Sequence, residues 1–432
     1  MLSGQVSEVH KFEESHSGFI DLSEEQSAAL RSIGKELASK KAFYRSIIDN
    51  EEDDVPFNIN QDDSPSIIKC EHVGNGRYKL KFLNVIGTIS LPNMTFHVLP
   101  KIPLNHFTHL AKHAFEEPRM RDSPVSIDSL DAFWEVLANW CVAAIEKIYW
   151  RGLISDYENT SEDLPFIKGR VDPVRTSTQY MKGNLKASCT FDELSIDNPF
   201  NRTLKAALVA ISRSSSLQDY GLKSRASRLE KRFSLVGEAT RQDLKVKVDR
   251  RTQYYENALE LSNMFLSGNG VDINAGLNHG KSFLIPTPEI VESAIRKILS
   301  AHLAPITVRK QKLVIESDPF YSINPDLVFN NGAVTGDVKY KTAGQDWVRN
   351  DVAQATMFAT GFEAKAALIV SFSKSQHTLD LEMMMGQLPV HRINWNASEL
   401  IDPIVAEEEL LARVRAFLLR YRATECGWQR TA

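Results

Sequence analysis

Residues 323–341 read "INPDLVFNNGAVTGDVKYK". Two strand-like runs flank Asn330-Asn331-Gly332, and Asn-Gly between apolar runs signals a tight antiparallel hairpin. The runs nevertheless carry Asp326, Asp337, Lys339 and Lys341. Side chains alternate across a strand, so Asp337, Lys339 and Lys341 share one face of the second run, with Val338 and Tyr340 on the other. Asp326 follows Pro325 at the start of the first run, and pairing around Gly332 brings it near Asp337. Two carboxylates on neighbouring strands make an oxygen-donor site suited to Mg2+. A lysine two residues further on points into the same space, where it can orient water or stabilise charge on a phosphate. This Pro-Asp…Asp-x-Lys pattern is that of a metal-dependent nuclease.

The bland alternative is a sheet edge guarded by lysines. Asp-x-Lys or Glu-x-Lys also occurs at Asp243-Leu244-Lys245 and Glu363-Ala364-Lys365, but neither follows a Pro-Asp at hairpin distance. The surroundings favour the nuclease. A helix over 287–302, introduced by Pro286 and Pro288, precedes strands near 306–315, 322–329 and 333–341. A helix over 347–360 and a strand over 364–372 follow, giving αβββαβ. Glu292 on the first helix could reach the metal region, or be an ordinary exposed helical acid. Gln354 on the second could bond a DNA phosphate or shape the site, or be an ordinary polar helix residue.

The whole chain has 432 residues, too many for one ordinary core. Composition shifts suggest a polar helical segment with an acidic linker at 1–65, a β-rich and helical region at 66–270, and the nuclease domain at 271–432. A helix is expected over about 23–48, short strands over 66–102, and a helix over 126–152 with Leu130, Phe133, Leu137, Trp140, Cys141 and Ile145 on one stripe. A β stretch at 164–196 and helices at 197–215 and 250–267 complete the reading, with no internal repeat. The expected class is mixed α/β.

The formal net charge of −4 gives no global basic field, so nucleic-acid binding needs a local patch. Segment 223–251 holds ten Lys or Arg against four acids. It reads as a solvated helical face or, more sharply, as a phosphate-facing surface. Cys70, Cys141, Cys189 and Cys426 form no Cys-x-x-Cys pair, which fits a reducing compartment and no zinc ribbon. No signal peptide and no apolar run of roughly 20 residues is present, so a cytoplasmic protein without membrane contact is expected.

Two apparent motifs are rejected. Gly280-Lys281-Ser282 lacks the earlier glycine of a phosphate-binding loop, because Ala275 stands there, so no nucleotide site is expected. His106, His109 and His113 share a helical face, but no acid to support them is evident and their neighbours are apolar. They read as packing or surface histidines rather than zinc ligands.

Longer stretches carry a resemblance. "NVIGTISLPNMTFHVLPKI" (84–102), "RGLISDYENTSEDLPFIKGRVD" (151–172), "FDELSIDNPFNRTLKAAL" (191–208) and "YYENALELSNMFLSGNG" (254–270), with the hairpin, resemble the McrC family over about 80–370. McrC proteins are the endonuclease subunits of McrBC-type, 5-methylcytosine-specific restriction systems. The resemblance implies a C-terminal restriction-endonuclease-like PD-(D/E)xK domain cutting double-stranded DNA with Mg2+. It also implies an N-terminal region that docks on, and stimulates, an McrB-like AAA+ GTPase hexamer, which itself reads the methylated base. Asp326, Asp337 and Lys339 match the family's catalytic positions, with Asp326, Asp337 and Glu292 toward the metal and Gln354 on the following helix. Lys341 is a second lysine on the same face. The chain departs from the family at Val291, where an aromatic is more usual, and at Phe358, where tyrosine is frequent. Asp197, Asn201 and Arg202 read as a helix cap with a buried polar network, or else as a contact to McrB or DNA. The rival functions are a catalytically silent regulator of an AAA+ ring, and a PD-(D/E)xK nuclease of another defence or repair system.

Overall fold

The computed structural model describes residues 8–40, 66–91, 93–115, 129–214, 217–240, 242–268, 283–315, 318–342, 346–375 and 380–421. Contacts divide the chain into two compact units, Met1–Trp134 with Ser267–Ala432, and Glu135–Leu266. One contact division, between Leu266 and Ser267, falls beside the composition shift near 270, whereas the shift near 65 has no such division. The reason is strand pairing, which joins the polar N-terminal stretch to the β-rich one.

The first unit opens with β1 (Glu8–Glu13), β2 (Ser17–Asp21) and α1 (Glu24–Lys40), followed by β3 (Ile68–Gly74), β4 (Arg77–Phe82), β5 (Val85–Leu91) and β6 (Met94–Leu99). Strands β2, β4 and β3 form one antiparallel sheet, and β1 runs parallel to β6, itself antiparallel to β5. The two strands before α1 lie where only a helix was expected. Helix α1 begins in a capping box: Ser23 Oγ accepts from the Gln26 N–H, and Gln26 Oε1 from the Ser23 N–H. It is described to Lys40, and the acidic run at 51–63 lies outside the described residues. Leu30 and Ile33 of α1 pack with Ile68, Leu80, Phe82, Val85, Ile89, Phe96 and Val98 in one core. Each such side chain contributes roughly 1.5–3 kcal/mol by leaving water. Then comes α2 (Leu104–Ala114). Helix α3 (Leu130–Arg151), whose expected stripe is wholly buried, begins in this unit and runs into the second after Trp134.

The second unit contains β7 (Asp156–Leu164), β8 (Arg170–Val171), α4 (Pro173–Met181), β9 (Ala187–Ser195), α5 (Pro199–Arg213), α6 (Tyr220–Glu230) and α7 (Glu256–Gly268). Its sheet runs β7-β9-β8. Helix α4 interrupts the stretch read as β, because Asp172 accepts from the Val174 and Arg175 N–H groups and Pro173 starts the helix. The cap of α5 is Asn198, not Asp197: Asn198 Oδ1 accepts from the Asn201 N–H. Asp197 instead pairs with Arg202 at 2.6 Å and accepts from the Gly237 N–H. Asn201 is fully buried, donates to the Ile154 and Ile196 carbonyls, and accepts from the Tyr255 hydroxyl. Within the basic segment, Arg225 grips Glu146 and Asn139, while Arg232 lies over Tyr149 and Trp150. Those two cations serve the fold.

The remainder of the first unit holds β10 (Phe283–Pro286), α8 (Pro288–His302), β11 (Val308–Arg309), β12 (Leu313–Ile315), β13 (Asp318–Ile323), β14 (Leu327–Phe329), β15 (Val334–Thr342), α9 (Arg349–Gly361), β16 (Ala367–Ser373), β17 (Leu381–Met385), β18 (Leu388–Asn396) and α10 (Pro403–Arg420). Strand β10 completes the β1-β6-β5 sheet by pairing with β5. The large sheet runs β11-β14-β15-β16-β18-β17, with β14 antiparallel to β15, and β15, β16 and β18 parallel. Helix α9 makes the β15-to-β16 crossover. The fold is mixed α/β, and the expected αβββαβ order is present with two strands divided. The run 306–315 splits into β11 and β12, and 322–329 into β13 and β14, which join different sheets. Pro325 explains the second break, since it has no N–H for a ladder and restricts Asn324 before it. The turn is longer than a two-residue hairpin: Asn330, Asn331 and Gly332 all take positive φ, at 43°, 60° and 107°. Asn and Gly tolerate that left-handed region best.

Among the described residues no helix is long and apolar enough to cross a membrane. Gly280-Lys281-Ser282 lies outside the described residues.

Candidate active site

The β14–β15 register places Leu327 opposite Gly336, which sets Asp326 beside Asp337. Both acids are buried, at 7% and 4% exposure, although carboxylates are rarely so without partners. Asp326 Oδ2 accepts from the Val338 N–H at 3.0 Å, and its carbonyl accepts from Arg296 of α8. The two carboxyl groups are close enough that each shifts the other's pKa. Lys339 Nζ lies 2.7 Å from Asp337 Oδ2 and donates to Gln354 Oε1 of α9. Glu292 on α8 reaches the same place, with its carboxyl beside Asp326.

Lys341 is separated from this group. Its ammonium pairs with Asp351 at 3.0 Å, so of the two lysines it is Lys339 that meets the paired acids. Lys310, in the loop after β11, was not anticipated. Its Nζ lies 3.3 Å from Asp326 Oδ1 and 3.4 Å from Glu292 Oε2. In "VRKQK" it reads as one surface lysine among several, and nothing in that spacing singles it out. Val291 and Phe358, the departures from the family, are both buried core residues.

The electrostatics follow from crowding. Burial, and then repulsion by Asp326, push Asp337 up to about 7. Burial and the same neighbour push Glu292 up to about 8. Burial acts on Asp326 too, but the hydrogen bond from Asp337, the Lys310 ammonium and the Val338 N–H outweigh it and hold its pKa down. Burial would depress Lys339, but the Asp337 carboxylate raises it overall, so it stays an ammonium. Asp337 and Glu292 thus converge on Asp326, with protons retained where carboxylates are normally ionised. Such a set suits a hard divalent cation, which can take the protons' place. The competing sequence matches lack this company. Asp243 is bound to Thr240 in the second unit, and Glu363 follows the end of α9.

The histidine face divides. Trp395 Nε1 donates to His106 Nδ1, so His106 Nε2 carries the proton and donates to the Ser398 carbonyl. That is packing, as expected. His109 and His113, however, both meet Glu407 of α10, an acid that could not be seen nearby in the sequence.

Comparison with known proteins agrees with this architecture. None of the curated proteins compared matches the sequence significantly. A chain of the half-complex from the tetradecameric assembly of Thermococcus gammatolerans McrB AAA+ hexamers with bound McrC superposes with a TM-score of 0.54 at 17% identity. The match covers 94% of this chain and 100% of that one. The likeness is one of fold. The cryo-EM structure of the Thermococcus gammatolerans McrBC complex also matches, with a TM-score of 0.43 at 16% identity over 68% of this chain and 88% of that one. The profile of the family described as "McrBC 5-methylcytosine restriction system component" matches residues 80–361, most of the chain. The chain belongs to the McrBC 5-methylcytosine restriction system component family.

Proposed function

We propose that the chain is the Mg2+-dependent DNA endonuclease subunit of a methylcytosine-directed restriction system, working with an McrB-like AAA+ GTPase hexamer. The observation that carries this reading is the pairing of buried Asp326 and Asp337 with Lys339 beside them. Asp326 and Asp337, with Glu292 assisting, would hold the cation. Bound Mg2+ supplies charge neutralisation at the scissile phosphate and a more acidic water. Lys339 keeps its proton and presents an ammonium to the attacking water or the phosphate oxygens. Gln354 holds the Lys339 side chain in place by accepting its hydrogen bond. Lys341, steadied by Asp351, would contact the DNA backbone rather than the reacting phosphate.

The partner half of the proposal rests on the family and on the second unit's surface. Tyr157, Phe166, Ile167, Val174, Met181 and Leu185 stand exposed there. A GTPase ring docking on this unit would cover them.

The test is cleavage of methylated and unmethylated plasmid by the full chain with Mg2+, with and without its AAA+ partner and GTP. Cleavage of methylated DNA that needs both partner and GTP supports the proposal. Partner-independent cleavage keeps the nuclease and removes the restriction-system role. Stimulated GTP hydrolysis without any cleavage leaves a regulator.

A further inference from the structure

His109 and His113 stand one helical turn apart on α2, an i, i+4 pair that places both rings on one face. Both aim Nε2 at the same oxygen, Glu407 Oε2 of α10, at 2.6 and 3.1 Å. The three ligand-type atoms lie within 4.8 Å of one another. The Glu407 side chain is 10% exposed, His109 18% and His113 32%, so the group is sheltered but open on the His113 side.

We propose that His109, His113 and Glu407 form a zinc-type metal site, separate from the acids of the nuclease hairpin. Two imidazoles from one helical turn and a carboxylate from another element are a frequent zinc donor set, with a fourth position left for water. The donor chemistry separates the two sites. Imidazole nitrogen favours Zn2+ and its neighbours in the transition series, whereas the all-oxygen acids of the hairpin suit Mg2+. His302 is nearby, with Nδ1 3.9 Å from Glu407 Oε1, but that nitrogen donates to the Ile298 carbonyl and is not counted as a ligand. His106, on the same helix, is committed to Trp395 and Ser398. A bound ion would join α2, just after the N-terminal sheets, to the last helix of the nuclease sheet, so its role is to fasten the fold.

The experiment uses the full chain, stripped with a chelator and titrated with Co2+ and then Zn2+. The expected result is saturable Co2+ binding with the strong visible bands of a four-coordinate ion, displaced by Zn2+. Zinc at roughly 100 times its Kd should raise the melting temperature on the order of 5 °C. Both signals should survive in Asp337→Ala and vanish in His113→Ala. His113→Gln and Glu407→Gln, which keep volume and a hydrogen bond, serve if the alanine variant fails to fold. Unchanged Co2+ bands in these variants, or neither bands nor a melting shift in the parent chain, would overturn the site.

Discussion

Asp326 Oδ2 accepts the backbone N–H of Val338, the residue between Asp337 and Lys339, at 3.0 Å. One hydrogen bond thus fixes the first acid against the strand that carries the second acid and the lysine. The bond is buried, so losing the acceptor strands a donor and costs about 1–3 kcal/mol.

Substitution at Asp326 should therefore separate function from folding. Asparagine keeps an oxygen for the Val338 N–H, and alanine does not. Both variants should lose cleavage by about 10²-fold or more. In urea melts Asp326→Ala should be about 1–3 kcal/mol less stable than Asp326→Asn. Equal stability of the two would show that the bond does not hold the hairpin.

Asp337 should make the cation-free protein less stable as pH rises. Its folded pKa is pushed to about 7, above its ordinary value near 3.8, so the folded state holds the extra proton between those values. Stability from this group is full below pH about 4 and is lost as pH climbs through about 7. Asp337→Asn should melt several degrees higher than the parent chain at pH 8 in chelator. The gap should close toward pH 4. A constant gap across that range would contradict the shift.

The same proton should compete with the cation. Below pH about 7 each unit should raise the Mg2+ concentration for half-maximal cleavage up to about tenfold, if one proton is displaced. A requirement for Mg2+ that is flat between pH 6 and 8 would argue against Asp337 as a ligand.

The two lysines should behave differently. Lys339→Ala should cut cleavage by roughly 10²-fold or more, because its ammonium sits on Asp337. Lys341→Ala removes a pair with Asp351 and should stay within about tenfold of the parent. Comparable losses in single-turnover cleavage would remove the distinction.

How much was legible depended on how local the signal was. Pro286 and Pro288 marked the start of α8, and the Pro-Asp, Asn-Gly and Asp-x-Lys signals lay within one short stretch, so the hairpin and its acids could be read directly. Strand β1 could not. Its sequence "EVHKFE" is polar, and it becomes a strand by pairing in parallel with β6, more than eighty positions later. Helix α4 was hidden inside a β reading because none of its residues is buried, which leaves no apolar stripe to detect. Lys310 and Glu407 escaped for one reason: each acts on residues distant in sequence, and neither has a local pattern. The Pro-Lys-Ile end of segment 84–102 acquires a physical cause, since buried Lys101 donates to Asn84 Oδ1 and to the carbonyl of Tyr340, the neighbour of Lys339.

The most direct measurement is cleavage of methylated plasmid by Asp337→Ala beside the parent chain, with Mg2+, GTP and the AAA+ partner present. GTP hydrolysis is followed in the same tubes. The predicted result is loss of cleavage by about 10²-fold or more, with stimulated GTP hydrolysis unchanged. Full cleavage by Asp337→Ala would contradict the assignment of the hairpin as the nuclease site.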